Sequence, residues 1–156
     1  MRQHKSFIER FQRLFGDPRG SVSVELGIVL SLLTVMVIPT VDIGMGAYTQ
    51  MQVANAAQAG AEYAAVNGWN SGNVSTAVTS ATSLGGISAS PAPTETCGCV
   101  TAGAVVAATC GATCSNGNTA GSFVTVNAQA TYTTLFSYPG LPSPMTMTST
   151  STVRIQ

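Results

Sequence analysis

The chain is 156 residues long, one domain's worth, with formal charge zero, 45 % hydrophobic residues and only 8 % charged ones. Its charge is lopsided: Arg2, Lys5, Arg10, Arg13 and Arg19 face Glu9 and Asp17 in the first 20 residues, whereas Arg154 alone faces Glu25, Asp42, Glu62 and Glu95 afterwards. An apolar segment follows the basic head at once, so the head reads as a cytoplasmic flank under the positive-inside rule and not as a nucleic-acid-binding arm.

In the head, Phe7, Ile8, Phe11, Leu14 and Phe15 fall on one face of a short amphipathic helix suited to an anionic leaflet. Asp17-Pro18-Arg19-Gly20 is expected to break that helix. The head is too polar for the core of a secretory signal peptide, and no A-x-A site follows the apolar run.

The junction Gly20-Ser21-Val22-Ser23-Val24-Glu25 sets a carboxylate at the entrance of the apolar run. An ionised acid at bilayer depth costs about 2.5–3.5 kcal/mol or more, so it needs a partner or a task. A cut between Gly20 and Ser21 would place a new α-amino group four residues before Glu25, a distance that puts both on one helix face. The carboxylate would then also lie in the first turn, where the helix dipole favours negative charge.

From Leu26 to Ala47 the only charged residue is Asp42, and this stretch is long enough to cross about 30 Å of hydrocarbon. Pro39 removes one backbone donor and is expected to kink or loosen a turn. Asp42 is expected near the outer boundary, within reach of water or headgroups. The helical pattern continues to Val66, giving a helix over 21–66 of roughly 70 Å at 1.5 Å per residue, closed by Asn67-Gly68. Within it Ala56, Gly60 and Ala64, and likewise Ala57, Ala61 and Ala65, form stripes that permit close approach of another element, either in the same domain or in a neighbouring subunit. Tyr63 and Trp69 are expected to pack under the outer domain.

Val74, Ala77, Val78, Ala81 and Leu84 fit a second, short helix ending at Gly85-Gly86. Residues 87–122 read as irregular, with a short strand near Val100–Ala107. Cys97, Cys99, Cys110 and Cys114 all fall there. An even count in an exported domain predicts disulfides, with three pairings open. The C-x-C spacing and the lack of any histidine beyond His4 disfavour zinc. Val124–Tyr132 and Met145–Ile155 alternate apolar with polar and are predicted to pair antiparallel across the turn-rich Tyr138–Pro144, with the first helix and the disulfide loop over one face. The fold class is thus α+β: a long N-terminal membrane-spanning helix, then a small disulfide-containing domain with a short helix and an antiparallel sheet.

These features together resemble the TadE-like pseudopilins of tight-adherence (type IVc) pilus systems. The resemblance rests on the Gly20/Ser21 junction with Glu25, on Gln52-Val-Ala-Asn-Ala-Ala-Gln-Ala-Gly-Ala-Glu-Tyr-Ala-Ala65, and on the tail segments Phe123-Val-Thr-Val, Thr131-Tyr132-Thr, Leu135-Phe136 and Val153-Arg154-Ile155. The chain departs from the family pattern at Leu26, where an aromatic residue is frequent, at Ser31, where Pro is frequent, and at Asp42-Ile43-Gly44-Met45, which lacks a usual Arg. The resemblance implies a prepilin peptidase that cuts after Gly20, a bacterial inner-membrane location with the N-terminus cytoplasmic, and packing with other pilins and the assembly platform. The domains would be a leader over 1–20, a transmembrane and extended helix over 21–66, and an outer domain over 67–156.

An alternative is an uncleaved bitopic membrane protein with an adhesive or binding outer domain. An exported enzyme has little to work with: beyond residue 20 there is no His or Lys to activate a Ser or Thr, and nothing brings two of the four acids together. No cofactor, metal or nucleic acid is expected.

Overall fold

A computed structural model describes residues 18–137, 140 and 142–155. The amphipathic helix expected over residues 7–15, and Tyr138, Pro139 and Leu141 of the expected turn, lie outside the described residues. The elements run α1 (Pro18–Asn67), α2 (Ser71–Ser80), β1 (Thr94–Thr101), β2 (Ala104–Ala107), β3 (Gly121–Tyr132) and β4 (Met145–Arg154). By packing, the chain divides into a unit of residues 1–43 and a unit of residues 44–156.

α1 begins three residues before the expected start. Pro18 is its first residue, a position where the missing N–H costs nothing and the fixed φ already suits a helix. Pro18, Arg19 and Gly20 of the expected break thus lie in the first turn of α1. The helix is continuous through Pro39, and within the apolar run its hydroxyls turn back onto the backbone: Ser31 Oγ donates to Ile28 O (2.7 Å), Thr34 Oγ1 to Leu30 O (2.8 Å) and Thr40 Oγ1 to Met36 O (2.8 Å). Such back-bonds let polar side chains sit on an apolar helix with their donors satisfied. Asp42 corrects an expectation, being buried at 3 % exposure instead of open to water.

The second unit is a four-stranded antiparallel sheet, order β2-β1-β3-β4, with helices on one face. The long pair forms as the alternation predicts, from Phe123 opposite Arg154 to Tyr132 opposite Met145. Val124, Val126, Ala128 and Ala130 point inward from β3 and join Val53, Ala56, Ala57, Ala61 and Ala64 of α1, Val74 and Val78 of α2, and Ile87 in a single core. Of the two small-residue stripes, Ala56, Ala57, Gly60, Ala61 and Ala64 thus pack within their own unit, while Ala65 is exposed. At Gly60 the fit is extreme: a Cβ would stand 2.6 Å from Val78 Cγ2 and 2.8 Å from Val126 Cγ1. Tyr63 and Trp69 pack against the same core as expected.

α2 is capped by Asn70, whose side chain accepts from Asn73 N at 3.0 Å. It stops at Ser80, short of the expected Leu84, because Leu84 N turns to Thr82 Oγ1 (3.3 Å) and leaves the helical ladder. Leu84 still packs on the core, and Gly86 makes the turn that follows with φ +86°.

The segment expected to be irregular contains a full hairpin. β1 runs through both Cys97 and Cys99, and β2 returns through Ala102-Gly103, both with positive φ (50° and 83°), the backbone of a tight two-residue hairpin turn. Cys97 pairs with Cys110 and Cys99 with Cys114, with Cα–Cα distances of 5.1 and 5.7 Å. These bonds tie the loop between β2 and β3 to β1. Where thiols are consumed as disulfides they are no longer zinc ligands.

Candidate assembly and processing site

The first turns of α1 hold the junction. Gly20 and Ser21 lie one turn or less from the helix start at Pro18, and Glu25 follows one turn later. Glu25 is exposed, and so is every residue from Val22 to Val37. Large apolar side chains dominate that stretch: Leu26 is 56 % exposed, Ile28 65 %, Leu32 62 % and Val35 69 %. Among the described residues, this is the one helix long and apolar enough to cross a membrane, and only 6 % of its most apolar window is buried within the chain. A soluble protein rarely leaves so large a contiguous apolar surface uncovered. Such a surface calls for lipid, for other apolar helices, or for both.

Chemically, this stretch offers an apolar surface and one charge to whatever covers it. Helix–helix association in lipid rests on packing and on polar groups that find partners across the interface. Glu25 is the acid at the head of the apolar stretch, and it precedes the next acid, Asp42, by 17 positions. Glu25 lies beyond the first turn of α1, so in the uncut chain the helix dipole does little for it; as an exposed carboxylate it is an acceptor available to a cation on a neighbouring chain.

The remaining expected residues lie elsewhere. Cys97, Cys99, Cys110 and Cys114 are at the hairpin end of the sheet in the second unit, and their bonds link β1 to the loop before β3. Among the described residues no group of three or more His, Cys, Asp or Glu is placed to hold a metal ion. One contact that the sequence does not announce is made by Gln50, whose Nε2 donates to Thr148 O of β4 at 3.0 Å. No local sequence signal marks this contact, since the two residues are 98 positions apart.

Residues 20–62 match the family model described as TadE-like protein. No curated protein matches the chain, and no solved structure does. The match opens on Gly20, covers Ser21, Glu25 and the whole exposed apolar run, and ends at Glu62, before the sheet and the disulfides. TadE-like pilus components are structural proteins, and a membrane-anchored chain fits both that family and the apolar helix. Over residues 20–62, then, this chain is similar to the TadE-like family, whose members are components of the tight-adherence (Tad) pilus.

Proposed function

We propose that the chain is a pseudopilin, a minor subunit that helps assemble a tight-adherence pilus after proteolytic processing. A prepilin peptidase cuts between Gly20 and Ser21, removing a basic leader of residues 1–20. Ser21 becomes the first mature residue and Glu25 the fifth. The helix over 21–66 anchors the subunit in the bacterial inner membrane, with the leader cytoplasmic and the domain over 67–156 on the outer side. There it packs against other pilins and the assembly platform.

The observation that supports this reading most is the exposed carboxylate of Glu25 at the head of an uncovered apolar helix. Cleavage supplies the missing cation: the Ser21 amine lies within reach on the same helix face or on a neighbour's. A pair of that kind, buried between apolar helices, sets their axial register, since removing one partner leaves an uncompensated charge.

Glu25→Ala tests the assignment. The variant is expected to be cleaved and membrane-inserted like the parent, while the yield of sheared pili falls. Unchanged pilus yield with normal processing would remove Glu25 from assembly.

A further inference from the structure

Both outer strands of the sheet end in open edges, and the two edges match. Among the described residues no strand pairs with β4 beyond β3, or with β2 beyond β1. The hydrogen-bonding phase of each ladder shows which backbone groups face outward. Ile155 N donates to Ser122 O (3.0 Å), so the odd-numbered residues of β4 bond to β3 and the even-numbered ones turn away. Ala108 N donates to Cys97 O (2.9 Å), so in β2 it is Val105 and Ala107 that turn away from β1.

On β4 the Thr148 carbonyl is already taken by Gln50. Beyond it, Thr150 and Thr152 present N–H and C=O groups to the open side. That stretch is about as long as β2. Thr150 and Thr152 lie on the sheet face away from the helices, because their neighbours Asn127 and Thr125 alternate with the buried Val126. Val105 and Ala107 lie on that same outer face, reached through Val100 and Gly98 on β1 and then Gly121 and Phe123 on β3. Strand direction alternates across the four strands, so β4 and β2 run oppositely.

We propose that β4 of one copy pairs antiparallel with β2 of the next, Thr152 opposite Val105 and Thr150 opposite Ala107. Each pair exchanges two backbone hydrogen bonds, and Thr152 with Val105 makes a favourable β-branched cross-strand pair. The paired stretches, Thr150–Val153 and Ala104–Ala107, carry no charge, and neither holds the Lys or Pro that commonly blocks an edge. The copies are related almost by translation, with the helix-bearing faces on one side. Translation suits subunits anchored by one segment in one membrane, and in this respect the proposal rests on the anchored reading above. A β4–β4 contact would instead turn the second copy end over end. The head-to-tail contact is open-ended, so it builds arrays and not closed dimers.

The test uses the full chain in its native membrane, co-expressed with two different tags and carrying a benzophenone amino acid at exposed Val106. Irradiation is expected to give products bearing both tags, with the linkage mapped to the peptide around Ser151 and Thr152. Thr150→Pro removes an outward N–H together with the hydrogen bond from Thr150 Oγ1 to Asn127 Oδ1 (2.8 Å), and Val105→Lys puts a charge on the edge; each is expected to lower the yield about fivefold or more with the disulfides intact. If Thr150→Pro fails to fold, the yield from Val105→Lys decides alone. Linkages that map elsewhere, capture of a different protein only, or an undiminished yield in Val105→Lys would overturn the proposal. Carbonate extraction of the same membranes reads anchoring separately: an anchored chain without the linkage refutes the edge pairing alone, and an extracted chain that still links refutes the anchor alone.

Discussion

At Gly60, α1 lies close against both α2 and β3, and Gly60→Ala measures that contact. A methyl group there would stand 2.6 Å from Val78 Cγ2 and 2.8 Å from Val126 Cγ1, with Val74 Cγ1 at 3.6 Å. The first two distances fall roughly 0.7–0.9 Å short of a comfortable carbon–carbon separation of about 3.5 Å. Val74, Val78 and Val126 are all fully buried, so the methyls have little room to retreat. Overpacking of this kind costs about 1–3 kcal/mol, offset by about 1 kcal/mol because Ala favours a helix over Gly. The net expectation is a loss of about 1 kcal/mol, or about 4 °C in Tm for a unit of this size. Gly44→Ala is the control: a Cβ there meets nothing within 4 Å, so the same swap in the same helix is expected to stabilise by up to about 1 kcal/mol. The assay is thermal unfolding of the detergent-solubilised chain, followed by near-UV circular dichroism of Trp69, the single tryptophan, which packs on this core. If Gly60→Ala proved as stable as Gly44→Ala, the close packing of α1 on Val78 and Val126 would be wrong.

The disulfides close short loops, with sequence separations of 13 and 15 residues. By loop-closure entropy each is worth roughly 3 kcal/mol. Mild reduction is expected to lower the Tm of the unit of residues 44–156 well beyond the Gly60 effect, and an unchanged unfolding curve would deny them a bracing role. Asn70→Ala removes the cap of α2 and is expected to cost about 1 kcal/mol in urea unfolding, while Asn70→Asp should retain most of it.

The parts of the fold that follow from periodicity were legible in the residues. The apolar run after Glu25, the small-residue stripe and the two alternating strands each have one dominant period, and the structure places them as α1, its packing face, β3 and β4. β1 was not legible as a strand. Thr94–Thr101 lacks alternation in hydrophobicity, and Cys-Gly-Cys at its centre reads as loop chemistry. Gly98 is there for a tertiary reason: a Cβ would stand 2.6 Å from Val105 Cγ1 and 2.8 Å from Val106 O, so the β1–β2 hairpin needs the bare backbone. The early end of α2 turns on one hydroxyl, Thr82 Oγ1, that competes for an amide. Of the candidate site, the place of Glu25 at the head of the apolar run could be read from charge placement alone. Whether the Ala/Gly stripe faced its own domain or a neighbour could not, because both uses demand the same small residues. The burial of Asp42 was hidden for a related reason, since position along a helix does not report burial.

The central claim is that Glu25 becomes an assembly residue through a cut five positions before it. The most direct test is the intact mass and N-terminal sequence of the protein recovered from its native membrane. The account predicts a mature chain whose first residue is Ser21, lighter by residues 1–20. A chain that keeps Met1–Gly20 in the assembled membrane fraction would contradict it.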